Sequence, residues 1–361
     1  MKIWMTGAAV LLTLAGTAQD STSKTETSPW TISGYAEAYY SYDLNKPATN
    51  TRPGFLYSHN RHNEFNANLA YIKGAYNGER VRANLALAAG TYMNANYAAE
   101  PGVLKNVFEA NVGYKLSEKK NLWFDIGVLP SHIGFESAIS KDCWTLTRSI
   151  LADNSPYFES GARLSYGTDN GKWSFSVLAL NGWQRITRID GNSKMSLGSQ
   201  IIFKPSGNVT LNYSTFYGTD KPDSARLNRL FHNIYGIFQV SNKIGLTAGF
   251  DIGTEQKTKG SNERNTWYSP VAILRFTPVS QWAFALRGEY YSDEHGVIIA
   301  TGTQNGFKTS GISLNADYLP VANLALRVEG RWLKSRDEIF IKDGVAKDNS
   351  TAITFSAAVS F

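Results

Sequence analysis

Cysteine is almost missing from this 361-residue chain: Cys143 is the one thiol, so no disulfide can form within it. Long apolar runs are missing as well. Beyond the first 18 residues no stretch approaches the roughly 20 apolar residues of a membrane-crossing helix, and mean hydropathy is −0.28. A helical membrane protein is thereby excluded. Charge is sparse, at 18% of residues, and the net +6 is spread along the chain. The nearest thing to a basic run is Lys119 and Lys120, so nucleic-acid binding is a poor reading.

Aromatic residues are abundant, with 19 Tyr, 18 Phe and 9 Trp. The first 18 residues form a targeting leader: Lys2 supplies the positive start, 3–15 the apolar stretch, and Gly16, Thr17 and Ala18 a small-residue cleavage site. Cleavage leaves Gln19 first, with no cysteine nearby for a lipid anchor. Residues 19–29 are polar and form a short periplasmic lead-in, and 30–361 form one domain.

From Trp30 onward the pattern has period 2. Ile32, Gly34, Ala36, Ala38, Tyr40 and Tyr42 oppose Ser33, Tyr35, Glu37, Tyr39 and Ser41; Phe65, Ala67, Leu69 and Tyr71 oppose Glu64, Asn66 and Asn68. Val81, Ala83, Leu85 and Leu87 oppose Arg82 and Asn84. About sixteen such segments follow one another, and their connections alternate in length. Short ones fall near Asn77, Ser117, Asp169, Pro205, Asn242, Pro278 and Pro320. Long ones fall at 44–63, 94–106, 130–158, 184–193, 221–229, 256–266, 293–307 and 336–350. This asymmetry predicts an all-β fold, a transmembrane antiparallel β-barrel of about 16 strands with both termini at the short-turn side.

A barrel of that size is too wide for side chains to fill, so the apolar face looks at lipid and the charged face at water. A charge on the lipid face costs about 2–4 kcal/mol, and Lys73 is one of few expected there. Trp173, Trp282 and Tyr318 are expected in a girdle near the short turns, and Trp183, Trp267, Tyr290 and Trp332 in one near the long loops. The alternating last segment ends on Phe361, like the assembly signal of outer-membrane proteins.

The connection at 130–158 stands apart. It is far longer than the usual 4–6 residues and mixes Ile133, Phe135, Ile139, Trp144, Leu146, Ile150, Leu151, Tyr157 and Phe158 with charges. Apolar residues need something to pack on, so this third outer loop is expected to fold into the lumen and narrow it. His132, Glu136, Lys141, Asp142, Arg148 and Asp153 would then line the passage, with Arg148 the cation reaching across it. Facing them, Arg163, Arg275, Arg287, Glu289, Arg327, Glu329 and Arg331 point inward, with Asp317 among them. Such a wall sets a transverse field; the alternative is a network that satisfies only itself.

Several stretches resemble the β-barrel porin family of Gram-negative outer membranes: GYAEAYYSYD at 34–43, YSHNRHNEF at 57–65, LPSHIGFE at 129–136, TRS at 147–149, NSPY at 154–157 and LNGWQ at 180–184. The resemblance implies an outer-membrane diffusion channel and brings no substrate and no functional residues with it.

Other chemistry is weakly signalled. His59, His62 and Glu64 lie within six residues, but a metal needs three or four converging ligands, and on a strand His59 would face away from the other two. Ser131, His132 and Ser155 suggest a hydrolase, yet adjacent Ser and His point apart and no motif sets a triad. Neighbours Asp142 and Trp144 give Cys143 no activation. No catalytic, metal or cofactor site is therefore expected. The expected partners are small hydrophilic solutes and outer-membrane lipid, with a homo-oligomer, by analogy a trimer, left open. A non-conducting barrel acting as adhesin or scaffold is the rival reading.

Overall fold

In the computed structural model, residues 28–361 are described. The leader at 1–18 and most of the lead-in at 19–29 lie outside the described residues.

The chain forms β1 (Trp30–Asp43), β2 (Phe65–Asn77), β3 (Val81–Ala89), β4 (Val107–Lys115), β5 (Asn121–Pro130), β6 (Phe158–Gly167), β7 (Trp173–Leu180), β8 (Ser196–Ser206) and β9 (Val209–Gly218). It continues through β10 (Arg229–Gln239), β11 (Ile244–Gln256), β12 (Arg264–Val279), β13 (Trp282–Asp293), β14 (Phe307–Val321), β15 (Leu324–Ser335), a small hairpin β16 (Phe340–Lys342) and β17 (Val345–Lys347), and β18 (Asn349–Ser360). Sixteen strands pair antiparallel with their chain neighbours, and β1 closes on β18, so the barrel has no edge. The hairpin β16–β17 stands apart, inside the last long connection.

Alternation sorts the two faces. Leu274, Leu286 and Leu314 lie side by side on β12, β13 and β14, all exposed on the outer surface. One residue along, Arg287 and Ser313 are buried. At the short-turn end Trp282 packs on Tyr318 at 4.9 Å and Trp173 on Phe203 at 4.1 Å, all on the outside. Pro205, Pro278 and Pro320 sit where the ladder slips just before the short turns, a place where a missing N–H costs least.

Two expectations fail for geometric reasons. Between β1 and β2 the register shifts at Glu37 and Ala38, which face Leu69 and Ala67 with Asn68 as the extra residue. This bulge reverses the facing of everything beyond it. Leu69 and Tyr71 therefore turn inward, Tyr71 stacking on Tyr35 at 5.8 Å. Lys73 turns inward too, and pairs with Glu109 at 2.6 Å instead of meeting lipid. The second failure is the long-loop girdle. Trp267 shares its parity with inward-facing Arg275 and is buried. It stacks on Phe231, and Trp183 packs on the same ring; Arg229 sits over both indoles, at 5.2 Å from Trp183 and 5.7 Å from Trp267. Trp332 remains exposed.

Pro270 lies mid-strand, where it has no N–H for the Tyr290 carbonyl of β13. Ser269 supplies the donor: its Oγ bonds Tyr290 O at 2.7 Å. Ser269→Ala leaves that carbonyl unpaired at a cost of about 1–3 kcal/mol. Adding Pro270→Ala restores the backbone donor, so urea unfolding of the double variant should return most of the loss.

Candidate functional site

The segment 131–157, between β5 and β6, packs on the inner face of the barrel and touches strands all round it. Near its start His132 is held on one side. Nδ1 lies 2.7 Å from Glu159 Oε2 on β6 and Nε2 lies 2.8 Å from Thr215 O on β9. Its carbonyl accepts from Gln200 on β8 and Ser214 on β9. Further on, Phe135 and Trp144 lie against β11, where there is room because residues 249 and 245 are glycine. A Cβ there would sit 2.4 Å from the Phe135 ring and 2.6 Å from Trp144.

The other side of the barrel grips the middle of the segment. Arg327 on β15 donates to the carbonyls of Ser140 and Cys143. Leu146 N donates to Asn315 on β14, Thr147 donates through N and Oγ1 to Glu329 on β15, and Ile150 N donates to Glu289 on β13. Ser140 Oγ donates to Glu37 on β1. Leu151 and Ala152, in the short helix Ile150–Asp153, pack on Val271, Ile273 and Ala285. The helix Thr91–Asn96 of the preceding long loop supports the far end, where Tyr92 meets Tyr157 at 5.5 Å.

On β13–β15 the inward charges form a network of Arg287, Glu289, Glu329 and Arg331 with Glu136 of the loop, and beside it the separate pair of Arg327 and Asp317. Arg287 Nη2 lies 2.7 Å from Glu329 and Nε 3.5 Å from Glu289; Glu136 is 3.8 Å from Nη1. Arg331 pairs with Glu289 at 2.7 Å, and Arg327 with Asp317 at 2.7 Å. The side chains of Arg287, Glu289 and Glu329 are wholly buried. Charges taken out of water need close partners, and removing one partner of a buried pair costs about 3–5 kcal/mol.

The site residues named from sequence thus fall into groups. Glu136, Arg287, Glu289, Glu329 and Arg331 are brought together in contact and Arg327 is paired with Asp317, so none is set facing across open water. Arg148 was expected to reach across the passage; instead it is fully buried, and its guanidinium donates to the carbonyls of Ser137, Ala138 and Leu146 of its own loop. Asp153 accepts from Ser58 of the first long loop. Lys141 donates to Ala322 O and Ser360 Oγ at the short-turn end, with Asp142 exposed beside it, and Arg275 lies over the Trp144 ring at 5.9 Å. Arg163 stands elsewhere, on the β6 wall, bonded to Asp125.

The three residues weighed as metal ligands go three ways: His59 to Glu37, His62 to the Asp43 N–H, and Glu64 to Arg61. Neither His132 nitrogen meets Ser131 or Ser155. Sequence reasoning missed Glu37 as an anchor of the long loop, although its inward parity was legible, because nothing local pairs residue 37 with residue 140.

A family model described as "Putative beta-barrel porin-2, OmpL-like" matches residues 29–361. No curated protein matches the sequence. Solved structures similar in fold include an anion-selective porin from Comamonas acidovorans, with 11% identity, TM-score 0.59, and 92% of this chain and 99% of that one covered. A trimer form of OmpT, an outer membrane protein of Vibrio cholerae, has 8% identity and TM-score 0.57, covering 92% and 99%. Salmonella typhi OmpF in complex with daunomycin has 10% identity and TM-score 0.59, covering 92% and 97%.

Two groups make the docking of segment 131–157 depend on pH. Burial opposes a charged His132, but the Glu159 carboxylate, its hydrogen bond and the Thr215 carbonyl outweigh it and hold the imidazole above its usual value. Its contribution is complete below the free value of about 6.5 and is lost as pH rises through the folded value. Burial pushes the Asp153 carboxyl up to about 7, against Arg331, Arg148 and the Ser58 hydroxyl. The docked segment therefore holds that proton more tightly than a free one would, and docking weakens as pH rises from about 4 to 7. Both act in the same direction. Cys143 is buried in the segment and reports on it. Its labelling by a maleimide, normalised to a free thiol at each pH, should rise several-fold between pH 6 and pH 8.5.

Proposed function

This chain belongs to the β-barrel porin-2, OmpL-like family, and from that premise we propose that it is an outer-membrane porin for the passive diffusion of small hydrophilic solutes. Residues 130–158 are the element that narrows its passage. The observation that carries this is the double grip on the loop: Glu159 and Thr215 hold it on one side, Arg287, Arg327 and Glu329 on the other. A segment bonded to opposite walls has to cross the space between them. The belt of exposed Leu, Phe and Tyr on the outer surface suits lipid, with the short turns and both chain ends toward the periplasm. The reading extends to a homo-oligomer of barrels.

One observation favours the rival, a barrel that does not conduct and serves as adhesin or scaffold. The loop packs densely, with Leu146, Arg148 and Ile150 at 0% exposure. Passage then depends on what the loop leaves open around it.

Planar-bilayer recording separates the two readings. A conducting wild type, and a larger unit conductance when 131–154 are deleted, is the expected result. A silent wild type supports the rival, whatever the deletion does. Arg148→Ala should act through loop shape, raising current noise and Cys143 labelling rather than setting the sign of selectivity. Arg287→Met should do the same more strongly, since it leaves the buried Glu329 without its ion pair, at about 3–5 kcal/mol, while Glu289 keeps Arg331.

A further inference from the structure

We propose that the passage runs past the part-exposed cations on the inner face of β2–β8 and prefers small anions, carboxylate- or phosphate-bearing solutes, with Arg163 as the group that meets them. This rests on the porin reading and adds to it a route and a substrate class.

The two walls treat charge differently. On β13–β15 every inward guanidinium is buried against a carboxylate or a loop carbonyl, so that wall offers a solute little. On β2–β8 the cation heads are part-exposed and the acids lie beneath them. Lys73, Arg82 and Arg163 have side-chain exposures of 27%, 28% and 25%, against 10% for Glu109 and 1% for Asp125. Lys204, on the same face of β8 as Gln200, has no ion-pair partner among the described residues. Lys73, Arg82, Arg163 and Lys204 thus outnumber the acids beside them, Glu109 and Asp125, while Glu159 of β6 is wholly buried on His132.

The row through Asp125 shows which cation is least satisfied. Arg82 on β3, Gly113 on β4, Asp125 on β5 and Arg163 on β6 are direct cross-strand partners. Arg82 reaches across Gly113 and takes both carboxylate oxygens, Nε to Oδ1 and Nη2 to Oδ2, each at 2.7 Å. That bidentate pair uses the best geometry the carboxylate has. Arg163 is left with two long contacts to Oδ2, at 3.4 and 3.3 Å. A guanidinium has five N–H donors in a planar fork that fits a carboxylate or phosphate. The unused ones of Arg163 remain open to solvent, since its side chain is 25% exposed. A cation there, between low-dielectric walls, acts on a passing anion more strongly than one in open water.

The test is the reversal potential of purified barrels in planar bilayers under a tenfold KCl gradient, with inorganic phosphate added as a second probe. Expected are chloride preference in the wild type, a several-fold fall in the anion-to-cation permeability ratio for Arg163→Gln, and inversion for Arg163→Glu. Phosphate should reduce the wild-type chloride current and lose that effect in Arg163→Gln. Lys204→Gln, at a side chain with no ion pair to break, should lower the ratio in the same direction and serves if an Arg163 variant fails to assemble. Conduction without anion preference, or a ratio unmoved by both substitutions, overturns the anion route and leaves the porin reading standing. No conductance from any barrel overturns both.

Discussion

A wide barrel has most of its apolar surface outside, so a segment crossing its interior depends on polar contacts as well as on small apolar patches such as Val271, Ile273 and Ala285. The buried pairing of Arg287, Arg327 and Arg331 with Glu289, Glu329 and Asp317 is the polar hold. These acids and guanidiniums satisfy one another and also the backbone of segment 131–157, through Thr147, Ile150, Ser140 and Cys143. Without the segment the charges would face open solvent; without the charges its backbone donors would lose their acceptors. Each is dry because the other is there.

Much of the barrel was legible because period-2 alternation and the short-long rhythm of connections are local properties. The strands of the C-terminal half fall where Leu274, Leu286, Leu314 and Leu326 alternate with charge. Errors arose where one residue breaks the period. The bulge at Asn68 turns Lys73 inward, and nothing around Lys73 announces an extra residue facing β1. Trp267 was misassigned by weighing its ring above its parity with Arg275.

The interior was harder to foresee. The composition of 130–158 says that it must pack on something, but not which of its charges end up spent. Arg148 looked like the cation most able to reach a solute, and it caps the carbonyls of its own loop. Arg163, by contrast, was one inward cation among many until strand register put Arg82 and Arg163 on the same Asp125. Only pairing across four strands shows that Arg82 has taken both oxygens. The asymmetry between a dry, neutralised wall and a wet, basic one is thus a property of register and not of composition.

Hydrogen exchange read by mass spectrometry on the folded barrel tests most directly whether the loop is held this way. The amides of Leu146, Thr147, Ser149 and Ile150 donate to Asn315, Glu329, Glu136 and Glu289. A loop docked by buried charge predicts that peptides covering these residues stay protected for hours, as long as those of β13. Exchange within seconds, at the rate of an exposed surface loop, would contradict it.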